Sequence, residues 1–130
     1  MRKSITILGT VKQGKGEGRY YMSQKEYREQ FIEKLGIDPY PGTLNLTLSE
    51  SDAIMLEKIR ERSIIVNGFK KDAKKFGDVI CYKGEVSGIR CALIQPKLST
   101  HINTAELIAK QMLREELGLK DGSEVRVVLE

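Results

Sequence analysis

The chain has 130 residues, 40% hydrophobic and 31% charged, which is room for one soluble domain around one core. No apolar run approaches the roughly 20 residues that cross a bilayer. The basic start Arg2-Lys3 leads into an apolar stretch that breaks at Gly9, so it reads as a strand and not a signal peptide, and the expected address is cytoplasmic.

Ser4–Val11 alternates, with Ile5 and Ile7 on one face and Thr6 on the other, the pattern of a half-buried strand. Gly14-Lys15-Gly16-Glu17-Gly18-Arg19 interrupts it, and Tyr20–Met22 reads as extended again. Ser23 and Glu26 have capping-box spacing and predict a helix over Gln24–Leu35, with Tyr27, Phe31 and Leu35 on one face and Gly36 as the stop. The rigid turn Asp38-Pro39-Tyr40-Pro41-Gly42 leads into a strand, Thr43–Leu48. A second helix is predicted over Glu50–Arg62, anchored by Ile54, Leu56 and Ile59. Short strands follow at Ile64–Val66, Asp78–Tyr82 and Cys91–Ile94, separated by turns at Asn67-Gly68, Lys83-Gly84 and Ser87-Gly88. Lys70-Lys71 and Lys74-Lys75 read as a solvated face. A third helix is predicted at about Thr104–Leu117, ending at Gly118, and a last strand at Glu124–Leu129 points Val125, Val127 and Leu129 to one side. Short strands with inserted helices suggest a small closed β-barrel, since closure removes exposed edges. No repeat, linker or low-complexity tract divides residues 1–130, which are taken as one domain.

Two features carry chemistry. In a strand Thr43-Leu44-Asn45-Leu46-Thr47-Leu48, the leucines share one face and Thr43, Asn45 and Thr47 the other. Thr43 and Asn45 lie about 7 Å apart along the strand. Two neutral oxygens suffice for Mg²⁺ when a triphosphate and water supply the rest; a plain polar outer face has the same pattern. In the glycine stretch, alternate glycines let backbone N–H groups approach an anion, and Lys15 and Arg19 add positive charge. The stretch is neither a Walker A sequence nor a Gly-x-Gly-x-x-Gly fingerprint, and a flexible hairpin tip is the alternative. Cys81 and Cys91 lack metal-ligand spacing and are expected as buried or half-buried free thiols. His101 cannot complete a zinc site with them on spacing alone.

Gly14–Tyr21, then Pro39-Tyr40-Pro41-Gly42-Thr43-Leu44-Asn45-Leu46, then Leu113-Arg114-Glu115 ahead of Leu119-Lys120-Asp121-Gly122, resemble the archaeal CTP-dependent riboflavin kinases in order and spacing. The resemblance spans nearly the whole chain; its firmest part is Gly42–Leu46, while Ser49–Lys75 adds little. It implies a mainly β fold with inserted helices, a six-stranded cradle-loop barrel. Riboflavin and CTP would be converted to FMN and CDP. The resemblance further implies a nucleotide site at Gly14, Lys15, Gly16, Glu17, Gly18 and Arg19 together with Gln111, Met112, Leu113 and Arg114, and Mg²⁺ on Thr43 and Asn45. Flavin contacts would come from Glu106 in the third helix and from Ser99 or Thr100, between which the sequence does not decide. Asn103 and Glu106 also have capping-box spacing, which is a structural reading of the same glutamate.

No carboxylate announces itself as a catalytic base, and His101 reads as a surface or locally bonded histidine. The expected protein is a monomer without membrane or nucleic-acid partners. The rival class is a small basic nucleic-acid-binding barrel, which the net charge of +4 permits. Against it, the basic residues and glycines gather in one loop and stacking aromatics are sparse. A flavin storage protein would leave the glycine loop idle.

Overall fold

The computed structural model describes residues 2–14, 16–97 and 103–130; Met1, Lys15, residues 98–102 and the side chain of Glu17 lie outside that set. The chain runs β1 (Ile5–Lys12), α1 (Glu17–Met22), α2 (Lys25–Gln30), a π-helical turn (Phe31–Leu35), β2 (Leu44–Leu48), α3 (Glu50–Lys58) and a 3-10 turn (Arg60–Arg62). It continues through β3 (Ile64–Val66), β4 (Phe69–Lys71), β5 (Lys74–Phe76), β6 (Val79–Val86), β7 (Ile89–Pro96), β8 (Thr104–Ala109), α4 (Leu113–Glu116) and β9 (Glu124–Leu129).

Six strands, ordered β6-β7-β8-β2-β1-β9, pair antiparallel throughout, and β9 returns to β6 to close the ring. The expected small six-stranded barrel is what forms. One edge of β6 is divided: Val79–Cys81 pairs with β3, and Gly84–Val86 pairs with β9. Inside, alternate residues of every barrel strand make one cluster, including Ile7, Leu44, Leu46, Leu48, Leu93, Leu107 and Val127. Outside, Tyr27, Phe31 and Leu35 lay their shared face on Cys81, Ala92, Ile94 and Ile108, a second cluster. Strands β6 and β7 are therefore buried on both faces over Ile80–Tyr82 and Cys91–Ile94, which is why they read as apolar runs and not as alternation. Cys91 faces the inner cluster and Cys81 the outer one. Both are free and buried, and burial pushes each thiol up to about 12.

Several expectations need correction. Tyr20–Met22 is not extended. The chain turns at Gly16 (φ +80°) into α1, Ser23 donates to the Tyr20 carbonyl at 2.6 Å, and the Tyr20 and Tyr21 rings lie 6.1 and 5.9 Å from Phe76. With its hydroxyl turned backward, Ser23 forms no capping box; Gln24 stands at the N-terminal boundary of α2 without a side-chain cap, and Glu26 pairs with Lys71 at 3.6 Å. In the second helix Ile54 is 45% exposed, while Ala53, Leu56 and Ile59 are buried. Lys83-Gly84 is no turn but part of β6, where a Cβ on Gly84 would stand 2.5 Å from the Val128 carbonyl, so the glycine admits β9. The four lysines of residues 70–75 are solvent-facing as expected, on an unanticipated hairpin, β4–β5.

The largest correction concerns the third helix. Thr104–Ala109 is strand β8, and only Leu113–Glu116 is helical. Ala, Glu and Leu favour a helix in isolation, but Ala105, Leu107 and Ala109 face the barrel interior while Ile108 faces the outer cluster, so tertiary pairing outweighs propensity. The Asn103–Glu106 cap disappears with that helix. Asn103 instead accepts from the Leu48 N–H at 2.7 Å, and Glu106 stands opposite Asn45 in the β2–β8 ladder.

Candidate functional site

The outer helical layer covers β6, β7 and part of β8. Among the described residues, Gly14 and Gly18 of the segment after β1 come close against the outer face of β2. Their lack of a side chain makes that contact possible. A Cβ on Gly14 would fall 2.1 Å from Asn45 Nδ2, and one on Gly18 would fall 2.4 Å from Thr43 Oγ1. Gly16, by contrast, has open space around it and is needed only for its positive φ.

Beneath the loop, Thr43, Asn45 and Glu106 meet. Leu44, Leu46 and Leu48 are buried inward, so Asn45 is turned outward, half-buried. The Thr43 hydroxyl donates to Glu106 Oε1 at 2.5 Å. Lys12 and Glu106 stand on either side of Asn45 in the sheet. Among the described residues no three His, Cys, Asp or Glu side chains gather as a metal-binding group. The local donors are a hydroxyl, an amide carbonyl and one carboxylate.

Two cavities flank the loop. The first, about 580 Å³, is lined by Gly14, Gly16, Gly18 and Arg19 from the loop, Thr43 and Asn45 from the β2 region, and Gln111, Met112, Leu113 and Arg114 after β8. The two chain segments singled out above for one ligand, Gly14–Arg19 and Gln111–Arg114, lie more than 90 residues apart in sequence and meet on one cavity. Arg114 is held by Asp121 at 2.9 Å, while Arg19 has no ion pair among the described residues. The second cavity, about 540 Å³, is lined by Glu106, Thr104, Tyr21, Met22, Tyr27 and Ile94 among others. Met22, Val79, Ile94 and Pro96 share this wall with Lys12 and Asp78, and Tyr27 is fixed there by donating to the Gly77 carbonyl at 2.6 Å. Burial, with Tyr21 and Asp78 nearby, raises the Tyr27 phenol to about 12, so it stays a neutral donor.

Gln13, Gly14, Gly18 and Asn45 line both cavities. Lys15, Ser99, Thr100, His101 and the Glu17 side chain lie outside the described residues. Sequence reasoning missed Tyr40 and Asp121 on the first cavity and Tyr21 and Tyr27 on the second. Tyr40 had a signal, since the prolines on either side of it fix a turn that its N–H ties to the Ala109 carbonyl at 2.7 Å. Tyr27 had none, because its helical spacing announced only a core residue.

The model for CTP-dependent riboflavin kinases, described as "Domain of unknown function DUF120", matches residues 11–129. Similar curated proteins include riboflavin kinases of Picrophilus torridus (42% identical over 97% of this chain and 58% of that protein) and Archaeoglobus fulgidus (45%, over 97% and 56%). That of Ignicoccus hospitalis is 44% identical over 98% of this chain and 72% of its own length. The chain thus spans under three fifths of the length of most of these relatives.

Proposed function

The chain belongs to the CTP-dependent riboflavin kinase family, and from that premise we propose that it transfers the terminal phosphoryl group of CTP to the 5′-hydroxyl of riboflavin, giving FMN and CDP. The observation that carries the reading is the shared wall: two cavities of substrate size meet where Thr43, Asn45 and Glu106 stand together. A phosphoryl donor in one and an acceptor in the other would face each other across that wall.

In this reading the first cavity takes the nucleotide. Backbone N–H groups of the glycine loop and the Arg19 guanidinium would face its phosphates, with residues 111–114 on the opposite side. The second cavity takes the flavin, its Tyr21 and Tyr27 rings with Met22 and Ile94 suiting a planar heterocycle. Glu106, on the wall of that cavity, would accept a hydrogen bond from the ribityl chain. Thr43 and Asn45 are hard oxygen donors on one outward face, beside a carboxylate, a set that fits Mg²⁺ better than a softer metal. When bound there, Mg²⁺ would neutralise charge on the transferring phosphate. Phosphoryl transfer through a loose transition state asks the protein mainly for alignment and charge. That is what rigid strand positions and a close-packed loop supply.

The test is incubation with riboflavin, Mg²⁺ and each of the four nucleoside triphosphates, following FMN by chromatography. FMN and CDP are expected with CTP, and far less product with ATP. Equal rates with both would remove the nucleotide preference, and no FMN with any nucleotide would overturn the kinase reading.

A further inference from the structure

Glu106 and Thr43 divide the two cavities between them. Thr43 lines the first but not the second, and Glu106 the second but not the first, yet they are hydrogen-bonded to each other. Gly18 roofs the pair: a Cβ there would stand 2.4 Å from Thr43 Oγ1 and 3.2 Å from Glu106 Oε1. The other described carboxylates on the cavity walls are engaged elsewhere. Asp121 holds Arg114, and Asp78 accepts from the Gly68 N–H and lies 3.9 Å from Lys97. Glu106 has no cationic partner among the described residues; its neighbours are Thr43 and, across the ladder, Asn45.

A threonine hydroxyl has one hydrogen and two lone pairs. By accepting that hydrogen, Glu106 fixes the rotor and leaves both lone pairs of Thr43 for the first cavity. We infer that Glu106 is a positioning residue that couples the two cavities, so that nucleotide bound against Thr43 tightens flavin binding against Glu106 and the converse. The inference rests on the kinase reading for the identity of the two ligands. The shared wall gives the coupling its sign. Gly14 and Gly18 line both cavities, so each ligand would rest on backbone that the other also touches. A ligand that holds Glu106 in place also holds the Thr43 hydroxyl, and by linkage the effect is equal in both directions.

The experiment is riboflavin binding by fluorescence quenching, with and without CDP plus Mg²⁺, in the wild type and in Thr43→Val, Glu106→Gln and Glu106→Ala. CDP replaces CTP so that binding is read without turnover. In the wild type, CDP with Mg²⁺ is expected to lower the riboflavin Kd about fivefold or more. Thr43→Val should reduce that ratio toward one although it touches no wall of the flavin cavity. Glu106→Gln, which keeps an acceptor oxygen, should retain more of the ratio than Glu106→Ala. Melting curves exclude variants that have lost the fold, and a loss of fold alone would not sort the variants in this order. A wild-type Kd indifferent to CDP, or an undiminished ratio in Thr43→Val, would overturn the coupling while leaving the kinase reading intact. Failure of the wild type to bind riboflavin at all would overturn both.

Discussion

The two halves of the barrel wall are built differently. On β6 and β7 the outer face is apolar and sealed under α2 and its π-helical turn, so those strands are buried twice over. On β2 the inner face is as apolar as any, but the outer face carries Asn45 and Thr47, with Thr43 just before the strand, and Gly14 and Gly18 close over Asn45 and Thr43. Strand β8 stands between them, giving Ile108 to the sealed half and Glu106 to the open one. The difference teaches where a small barrel can place chemistry. Its interior is filled with side chains, so a site must sit on an outer face that no helix covers.

The sharpest contrast lies within β2, and the largest effect should be seen there. Asn45→Leu and Thr43→Val leave the inward leucines in place. Turnover is expected to fall by about a hundredfold or more, as for loss of a charge-stabilising group. Melting should change little for Asn45→Leu, while Thr43→Val gives up one hydrogen bond, about 1 kcal/mol. Raised Mg²⁺ should recover part of the loss where the defect is affinity. Near-normal turnover in both variants at limiting Mg²⁺ would show that this strand is not the metal site. Leu46→Ala, one residue along and fully buried, should do the reverse, costing about 2–5 kcal/mol in chemical denaturation.

The sealed half can be broken from outside. Phe31 is fully buried in the outer cluster, so Phe31→Ala should cost about 3–5 kcal/mol, as much as a cavity inside the barrel. A cost below about 1 kcal/mol would mean that the helix merely rests on the sheet, since surface changes stay within that range.

The glycine roof separates two kinds of glycine. Gly14→Ala places a methyl where Asn45 already stands, and should weaken nucleotide binding measured by calorimetry. Gly16→Ala meets no atom and suffers only its left-handed backbone, about 1 kcal/mol of stability; its effect on nucleotide affinity should be smaller. If Gly14→Ala binds as the wild type does, the loop is not part of the site.

The smallest effect tests burial of the thiols on the two faces. Folded Cys81 and Cys91 are both raised to about 12, whereas unfolded thiols ionise near their ordinary range. The neutral thiols therefore contribute stability below the unfolded pKa, and that contribution is lost as pH rises toward 12. Denaturation midpoints should fall across this window, and Cys81→Ala or Cys91→Ala should each flatten the fall. A slope unchanged in both would place the alkaline loss elsewhere, for instance on Tyr27.

This contrast also governs what was legible in the sequence. Strand β9 was read to the residue, and β1 and β2 to within one, because one polar and one apolar face leave a period of two. The closed barrel followed from the count of such strands and from the resemblance. Thr104–Ala109 was read as helix because β8 serves both halves: its outer positions are Glu106 and Ile108, so alternation is lost. The β4–β5 hairpin was missed because it turns on Asp72 and Ala73, both at positive φ, without a glycine to mark it. Of the site, the two conspicuous motifs were legible and their meeting was not. Only the β2–β8 register sets Glu106 beside Asn45, and a register is a property of pairing that neither strand carries alone.

The divided edge of β6 has a consequence for how the chain comes to be folded. Strand β9 lies between β1 and β6, with Ile5 opposite Leu129 and Gly84 opposite the same Leu129. It is the keystone of the ring and also the last barrel strand to leave the ribosome. Without it the other five barrel strands would leave two unpaired edges, β1 and the second half of β6, open to any other extended segment. The six residues of β9 close the ring through the most non-local pairing in the barrel, Ile5 with Leu129, the kind of contact whose loop-closure entropy must be met before it stabilises.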